Sequence, residues 1–275
     1  MNEESIAGMV QAVVDRGEHA PLSWRLREPI LRVRSAIGPK RLRALLRGDG
    51  SAETQATGAA VTDESRYMSR IGPYWSTAQS GQDVFVQHMT SGLQLDHYLE
   101  IGACHPVQVS NTYILEGYLG WSGLSVEIDP GYAEGFRLVR RNPCILSDAT
   151  LVNYEEALVR EGFPSDLGYL SVDIDPSFQS LAMLLVLPFS SRRFATITFE
   201  HDRYRSGSRV RDLQREILRH LGYQLVVGDV KYAARFAFED WWVHPELVPE
   251  DRWRPMLSEN VDPSAFLSGL VPPVP

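Results

Sequence analysis

Between about residues 98 and 243, short apolar runs alternate with helical segments. That alternation predicts an α/β, Rossmann-like fold with a mainly parallel sheet covered on both faces. Two local features agree. The first apolar run, Tyr98-Leu99-Glu100-Ile101, turns at Gly102, passes through a helical segment and returns as Leu124-Ser125-Val126-Glu127. Successive strands then close on acids: Glu100, Glu127, Asp148, Asp173 and Glu200 to Asp202. A single carboxylate there is ordinary solvation. A run of them places a site at the carboxyl edge of the sheet.

The chain has 275 residues, 44% hydrophobic and 23% charged, which supports one large α/β domain with an appendage. A formal net charge of −8 argues against a general nucleic-acid binder. Two cysteines, Cys104 and Cys144, make no disulfide framework, so a reducing cytoplasm is expected. No apolar run approaches the ~20 residues of a membrane span. The start, MNEESIAGMVQ, lacks the basic lead and apolar core of a signal peptide.

In chain order, residues 1–48 read as a helical extension. Ser5 to Asp15 aligns Ile6, Met9, Val10, Val13 and Val14, and 21–48 interleaves Arg25, Arg27, Arg32, Arg34, Lys40, Arg41, Arg43 and Arg47 with apolar residues. Such a basic amphipathic helix can lie on an anionic membrane, dock on an acidic partner, or pack on the domain or across a homodimer. Residues 49–64 are small, polar and aperiodic, a flexible linker. The compact domain is expected over 65–260. Its first helix follows Gln79-Ser80-Gly81-Gln82-Asp83, which reads equally as a capped start, with Ser80 or Asp83 near the cap, or as a segment lying over a ligand. Helices are expected over Tyr132–Arg140, Asn153–Glu161, Phe178–Leu187 and Val210–His220. Strands are expected at Cys144–Leu146, Tyr169–Val172, Phe194–Phe199, Tyr223–Val227 and Phe238–Val243. Residues 261–275 form a tail ending in the polyproline-like VPPVP.

The βαβ start is that of a nucleotide-binding unit. Gly102 admits close backbone approach, and Glu127 can accept from both ribose hydroxyls of an adenosine. G-x-G-x-x-G would need glycines near Cys104 and Pro106, and neither is one. A lone glycine behind Glu100 suits a ligand without diphosphate and with an ammonium, such as S-adenosylmethionine, better than NAD.

AQSGQDVFV, YLEIGACHPVQVSNTYILEGYLGWSGLSVEIDP, YLSVDID, LPF and ITFEHD, over roughly Ala78 to Asp202, resemble the FkbM-type class I methyltransferases. The resemblance implies a seven-stranded sheet with a terminal antiparallel strand, S-adenosylmethionine as cofactor, and O-methylation of a sugar, polyketide or other natural product. By position it implies that Glu100, Gly102 and Ala103 line the methionine end. Glu127 would hold the ribose, with Ile128, Asp148 and Ala149 at the adenine. Ser110 and Asn111 would face the cofactor carboxylate, and Gln82 would lie over the ligand.

Two stretches depart from the family pattern, Asp173-Ile174-Asp175-Pro176 and Glu200-His201-Asp202. They are similar to strand ends of the macrocin-type metal-dependent O-methyltransferases, which implies Mg²⁺ or Mn²⁺ on Asp173, His201 and Asp202. Asp173, Asp175 and His201 are then the candidates for polarising the acceptor and taking its proton, His201 with an ordinary value near 6.5. Arg203, Tyr204 and Arg205, and Trp242 beyond them, are candidate contacts for a small-molecule or glycan substrate. Two rivals stay open: an N- or carboxyl-methyltransferase without metal, and a silent cofactor-binding module recruited through its basic helix.

Overall fold

The computed structural model describes residues 67–233 and 235–270. The expected helix at Ser5–Asp15, the basic segment 21–48, the linker 49–64 and the VPPVP end lie outside the described residues.

A small antiparallel hairpin, β1 (Ser69–Ile71) and β2 (Tyr74–Ser76), leads into helix α1 (Gln82–Thr90). The main sheet follows: β3 (His97–Ile101), β4 (Ser122–Glu127), β5 (Cys144–Leu146), β6 (Asp166–Val172), β7 (Arg193–Glu200), β8 (Gln224–Tyr232), β9 (Phe236–Val243) and the two-residue β10 (Ser258–Glu259). The helices between them are α2 (Tyr113–Gly117), α3 (Pro130–Val139), α4 (Tyr154–Arg160), α5 (Ser177–Val186), α6 (Arg203–Ser206) and α7 (Arg209–His220). Helices α8 (Glu250–Trp253) and α9 (Pro263–Ser268) close the described chain.

The strand order is β10-β8-β9-β7-β6-β3-β4-β5. Only β9 runs antiparallel, to both β7 and β8. This is the expected mainly parallel sheet with an antiparallel strand near its end, enlarged to eight strands by β10 pairing with β8. Chain direction reverses its order at β3 and β6, whose neighbouring carboxyl ends form the crevice where such sheets bind ligands.

The two faces follow from the strand period of two. Leu99, Ile101, Val126, Leu170, Val172, Ile197, Phe199 and Trp242 point to one side, against Leu158 of α4, Leu181 of α5 and Leu218 of α7. Tyr98, Tyr169 and Trp241 point to the other, against Val84, Phe85 and Met89 of α1. The Phe85 and Trp241 rings stack with centroids 5.0 Å apart. Each fully buried Leu, Ile or Phe contributes about 2 kcal/mol of transfer free energy, which makes this sandwich a rigid base for its edge. Gly123 exists for the same packing: a Cβ there would stand 1.9 Å from the Tyr98 ring. Among the described residues no helix is long and apolar enough to cross a membrane.

Candidate active site

The carboxyl ends of β3, β6 and β7 open into two adjoining cavities. The first is lined by Gln79, Gln82, Glu100, Gly102, Ala103, Cys104, Val109, Asn111 and Asp173. The second is lined by Gln79, Asp175, Glu200, Asp202, Tyr204, Arg205, Tyr232 and Phe238. Gln79 belongs to both.

In the first cavity Gly102 has φ +82, and its amide donates to Val126 O at 3.0 Å. A Cβ there would meet the backbone carbonyl of Asp173 at 1.9 Å. The glycine is thus required by the protein's own next strand, and not only by close approach of a ligand. Glu100 is buried, and its Oε2 accepts from Thr112 Oγ1 at 2.9 Å and Ser125 Oγ at 2.8 Å. Burial pushes its carboxyl up to about 7, against the pull of Arg140, Ser125 and Thr112. Arg140 is the hub behind it. Its guanidinium donates to Glu116 at 2.6 Å, to Tyr98 and Thr112 at 2.9 Å each, and to Pro106 O at 2.9 Å.

Glu127, buried at the end of β4, accepts from the Cys104 amide at 2.6 Å and, on its other oxygen, from the Asp129 amide at 2.8 Å. Burial raises its carboxyl above the ordinary range. The residue thereby fixes the loop after Gly102, and it is not among the residues that line either cavity. Cys104 adopts φ +54, a conformation non-glycine residues seldom take, to deliver that amide.

The other expected cofactor residues divide. Ala103 and Asn111 line the first cavity, and Asn111 Nδ2 donates to Ser171 Oγ at 3.0 Å. Gln82 lines it too. Its Oε1 accepts from the Ser80 amide at 2.8 Å and its Nε2 donates to Glu239 at 3.2 Å. The first helix has no side-chain cap. Asp83 instead accepts from Ser76, Thr77 and Ala78, anchoring the approach to the helix. Ser110 turns inward: its hydroxyl accepts from the Thr112 and Tyr113 amides and from Arg140. It opens α2 and lines neither cavity. Ile128 is two-thirds exposed at the end of β4, and Asp148 caps the following turn by accepting from Thr150 N at 2.9 Å, with Ala149 buried beside it.

In the second cavity Asp202 is buried, has φ +48 and accepts from Arg205 Nη1 at 2.7 Å. The same nitrogen donates to Asp175 Oδ1 at 3.1 Å. Burial pushes Asp202 up to about 6, opposed by Arg205 and assisted by the charges of Asp175 and Asp173, while a side-chain hydrogen bond links it to Glu200. Tyr204 packs on Phe236, ring centroids 5.0 Å apart.

The structure does not bring Asp173, His201 and Asp202 together as one ligand set. His201 follows Glu200 along the chain, so the strand alternation sends its side chain to the opposite face. There it is fully buried, with Nε2 at 3.4 Å from Asp240 and 3.7 Å from Asp229. Arg215 holds Asp240 through contacts of 2.7 and 2.8 Å, Gln214 donates to the same carboxylate, and Arg203 and Arg211 each reach Asp229 at 2.9 Å. Burial alone would raise Asp240, but its Arg215 and His201 contacts hold it well below the ordinary range. His201 is thus a member of a buried ionic cluster and lines neither cavity. Trp242 is likewise fully buried, opposite Ile197 in the core, and cannot touch a substrate. Arg203 belongs to the Asp229 cluster. Of the four expected substrate contacts, Tyr204 and Arg205 line the second cavity, and Arg203 and Trp242 do not.

Sequence reading overlooked Glu239. Its cross-strand partner is Glu200, and Trp241 Nε1 and Gln82 donate to its two oxygens. Burial pushes it up to about 8. A signal was present in the acidic pair Glu239-Asp240 inside the apolar run FAFEDWWV: alternation sends one acid to each face.

No protein-family model and no curated protein matches the chain. Among solved structures the fold is similar to a cofactor-bound protein, Rv0187 from MTB (15% identity, 75% of this chain and 97% of that one, TM-score 0.42). It is also similar to a putative O-methyltransferase from Klebsiella pneumoniae (14% identity, 75% and 89%, TM-score 0.39). A third is an O-methyltransferase from Bacillus cereus in complex with SAH (14% identity, 74% and 90%, TM-score 0.39). All three TM-scores lie below 0.5, so the functional reading rests on the chain's own topology and residues.

Proposed function

We propose that the chain is an S-adenosylmethionine-dependent O-methyltransferase acting on a hydroxyl of a small molecule, sugar or natural product. The observation that carries this reading is the pair of adjoining cavities at the carboxyl ends of β3, β6 and β7. Among the described residues the first is lined by Glu100 and Asp173 and by no basic side chain. Such a lining suits a cationic ligand and disfavours a dinucleotide, whose diphosphate needs positive or amide-rich surroundings.

The residues fit adenosylmethionine. Glu100 and Asp173 compensate an ammonium and a sulfonium, and Asn111 and Gln82 offer amides at the wall. When bound, the cofactor supplies an electrophilic methyl group on sulfur. Orientation is the work of the wall common to both cavities at Gln79. Proton removal falls to Asp202, buried in the second cavity and poised near 6, close to the value that serves a general base at neutral pH. Tyr204, Tyr232 and Phe238 supply apolar surface against an acceptor. The expected metal set of Asp173, His201 and Asp202 does not fit a cation, because His201 faces away, and no step is assigned to a metal.

Calorimetric titration with S-adenosylmethionine tests the reading. Binding should strengthen from about pH 6 to about pH 7.5, because Glu100, held near 7, must lose its proton to meet a cation. Absence of binding across that range rejects the proposal.

A further inference from the structure

Asp175, Glu200 and Asp202 bring carboxylate oxygens within 4.8 Å of one another at the second cavity. Oxygens so grouped from adjacent strand ends are a common way to hold Mg²⁺ or Mn²⁺. Here a cation is already built in. Arg205 Nη1 lies 3.1 Å from Asp175 and 2.7 Å from Asp202, with its side chain about one-third exposed. Its charge is permanent, and its helix is fastened on several sides. The Arg205 amide donates to Asp202 O at 2.8 Å, Ser206 Oγ donates to His201 O at 3.0 Å, and Ser177 Oγ donates to Ser206 Oγ at 3.1 Å. Arg203, on the same short helix, is tied to Asp229 at 2.9 Å.

We propose that Arg205 is the resident cation of the acceptor cavity, holding the carboxylates that would otherwise bind a divalent metal, so that the site works without one. The guanidinium places one positive charge between Asp175 and Asp202 and fixes them relative to each other. It is therefore a positioning residue. The role of the cavity rests on the methyl-transfer reading; the placement of the charge does not.

The test is titration of the full-length protein with Mn²⁺ near neutral pH, following free Mn²⁺ by electron paramagnetic resonance. The wild type is expected to leave the ion free. Arg205→Ala, and Arg205→Gln as a variant of closer size, are expected to retain about one ion per chain, and adding Asp202→Asn to either should weaken that binding at least tenfold. A wild-type site that Asp202→Asn abolishes would overturn the proposal, and so would variants that bind no better than wild type. Adenosylmethionine calorimetry on the same samples separates the two readings. Its failure in the wild type strikes the methyltransferase assignment and leaves the Mn²⁺ result standing.

Discussion

Gly102 and Asp173 meet backbone to backbone across the ends of β3 and β6, so closely that a Cβ on Gly102 would stand 1.9 Å from the Asp173 carbonyl oxygen. The two strand ends that frame the first cavity are locked to each other at this point, and the Asp173 amide completes the junction by donating to Ile101 O at 2.9 Å. Gly102→Ala should therefore do more than strain one residue. We expect a loss of about 3 kcal/mol or more in urea unfolding and no measurable adenosylmethionine binding. Gly92 also has positive φ but has open space around it, so Gly92→Ala should cost only about 1 kcal/mol.

Arg140 and Glu116 form a buried ion pair whose guanidinium also holds Tyr98 and Thr112, and through Thr112 the Glu100 carboxylate. Arg140→Met leaves Glu116 buried without its main counter-charge and should cost about 3–5 kcal/mol. Adding Glu116→Gln should recover a substantial part. Denaturant titration of the two single variants and the double variant gives the coupling.

Asp202 sets the acid limb of the expected activity. Its raised carboxyl must be ionised to accept a proton, so kcat/KM for the acceptor, measured at saturating adenosylmethionine so that Glu100 does not contribute, should fall as pH drops below about 6 and level off above it. In Asp202→Asn that limb disappears together with most of the rate, while adenosylmethionine affinity stays within about twofold. A pH–rate profile retaining its limb in the variant would assign the base elsewhere.

His201 makes the opposite prediction. Buried with Asp229 and Asp240 on the far face, it should matter to stability and not to chemistry. His201→Gln is expected to lower the unfolding free energy by about 1–3 kcal/mol while kcat changes less than about threefold. A collapse of turnover in a folded, cofactor-binding variant would return His201 to the site.

The depressed carboxyl of Asp240 gives a pH dependence of known sign. A folded-state value below the unfolded one stabilises the protein above about pH 4, and that contribution is lost as pH falls further. Asp240→Asn should flatten this acid-side loss and lower stability at neutral pH. Thermal unfolding across pH 3 to about 7 measures both.

The sequence alone determined the alternating architecture, the edge of the sheet where the two cavities open and the acidic character of that edge. Each is a local pattern: strands such as Leu124–Glu127 and Tyr169–Val172 are short β-rich runs closed by acids, and Gly102 stands where the turn must be tight. Tertiary structure alone decided which acids share a cavity. Glu200 and His201 are neighbours in the chain, yet the strand period of two sets them on opposite faces, one toward Asp202 and the other toward Asp240. Trp242 was drawn into the core by pairing with Ile197, and Ser110 was turned inward by Arg140, thirty residues away. Gln82 and Glu239, separated by 157 positions, meet because β9 inserts beside β7. A linear sequence specifies side-chain direction within an element through its period. Which directions converge depends on the strand order, and that order is set by long-range packing.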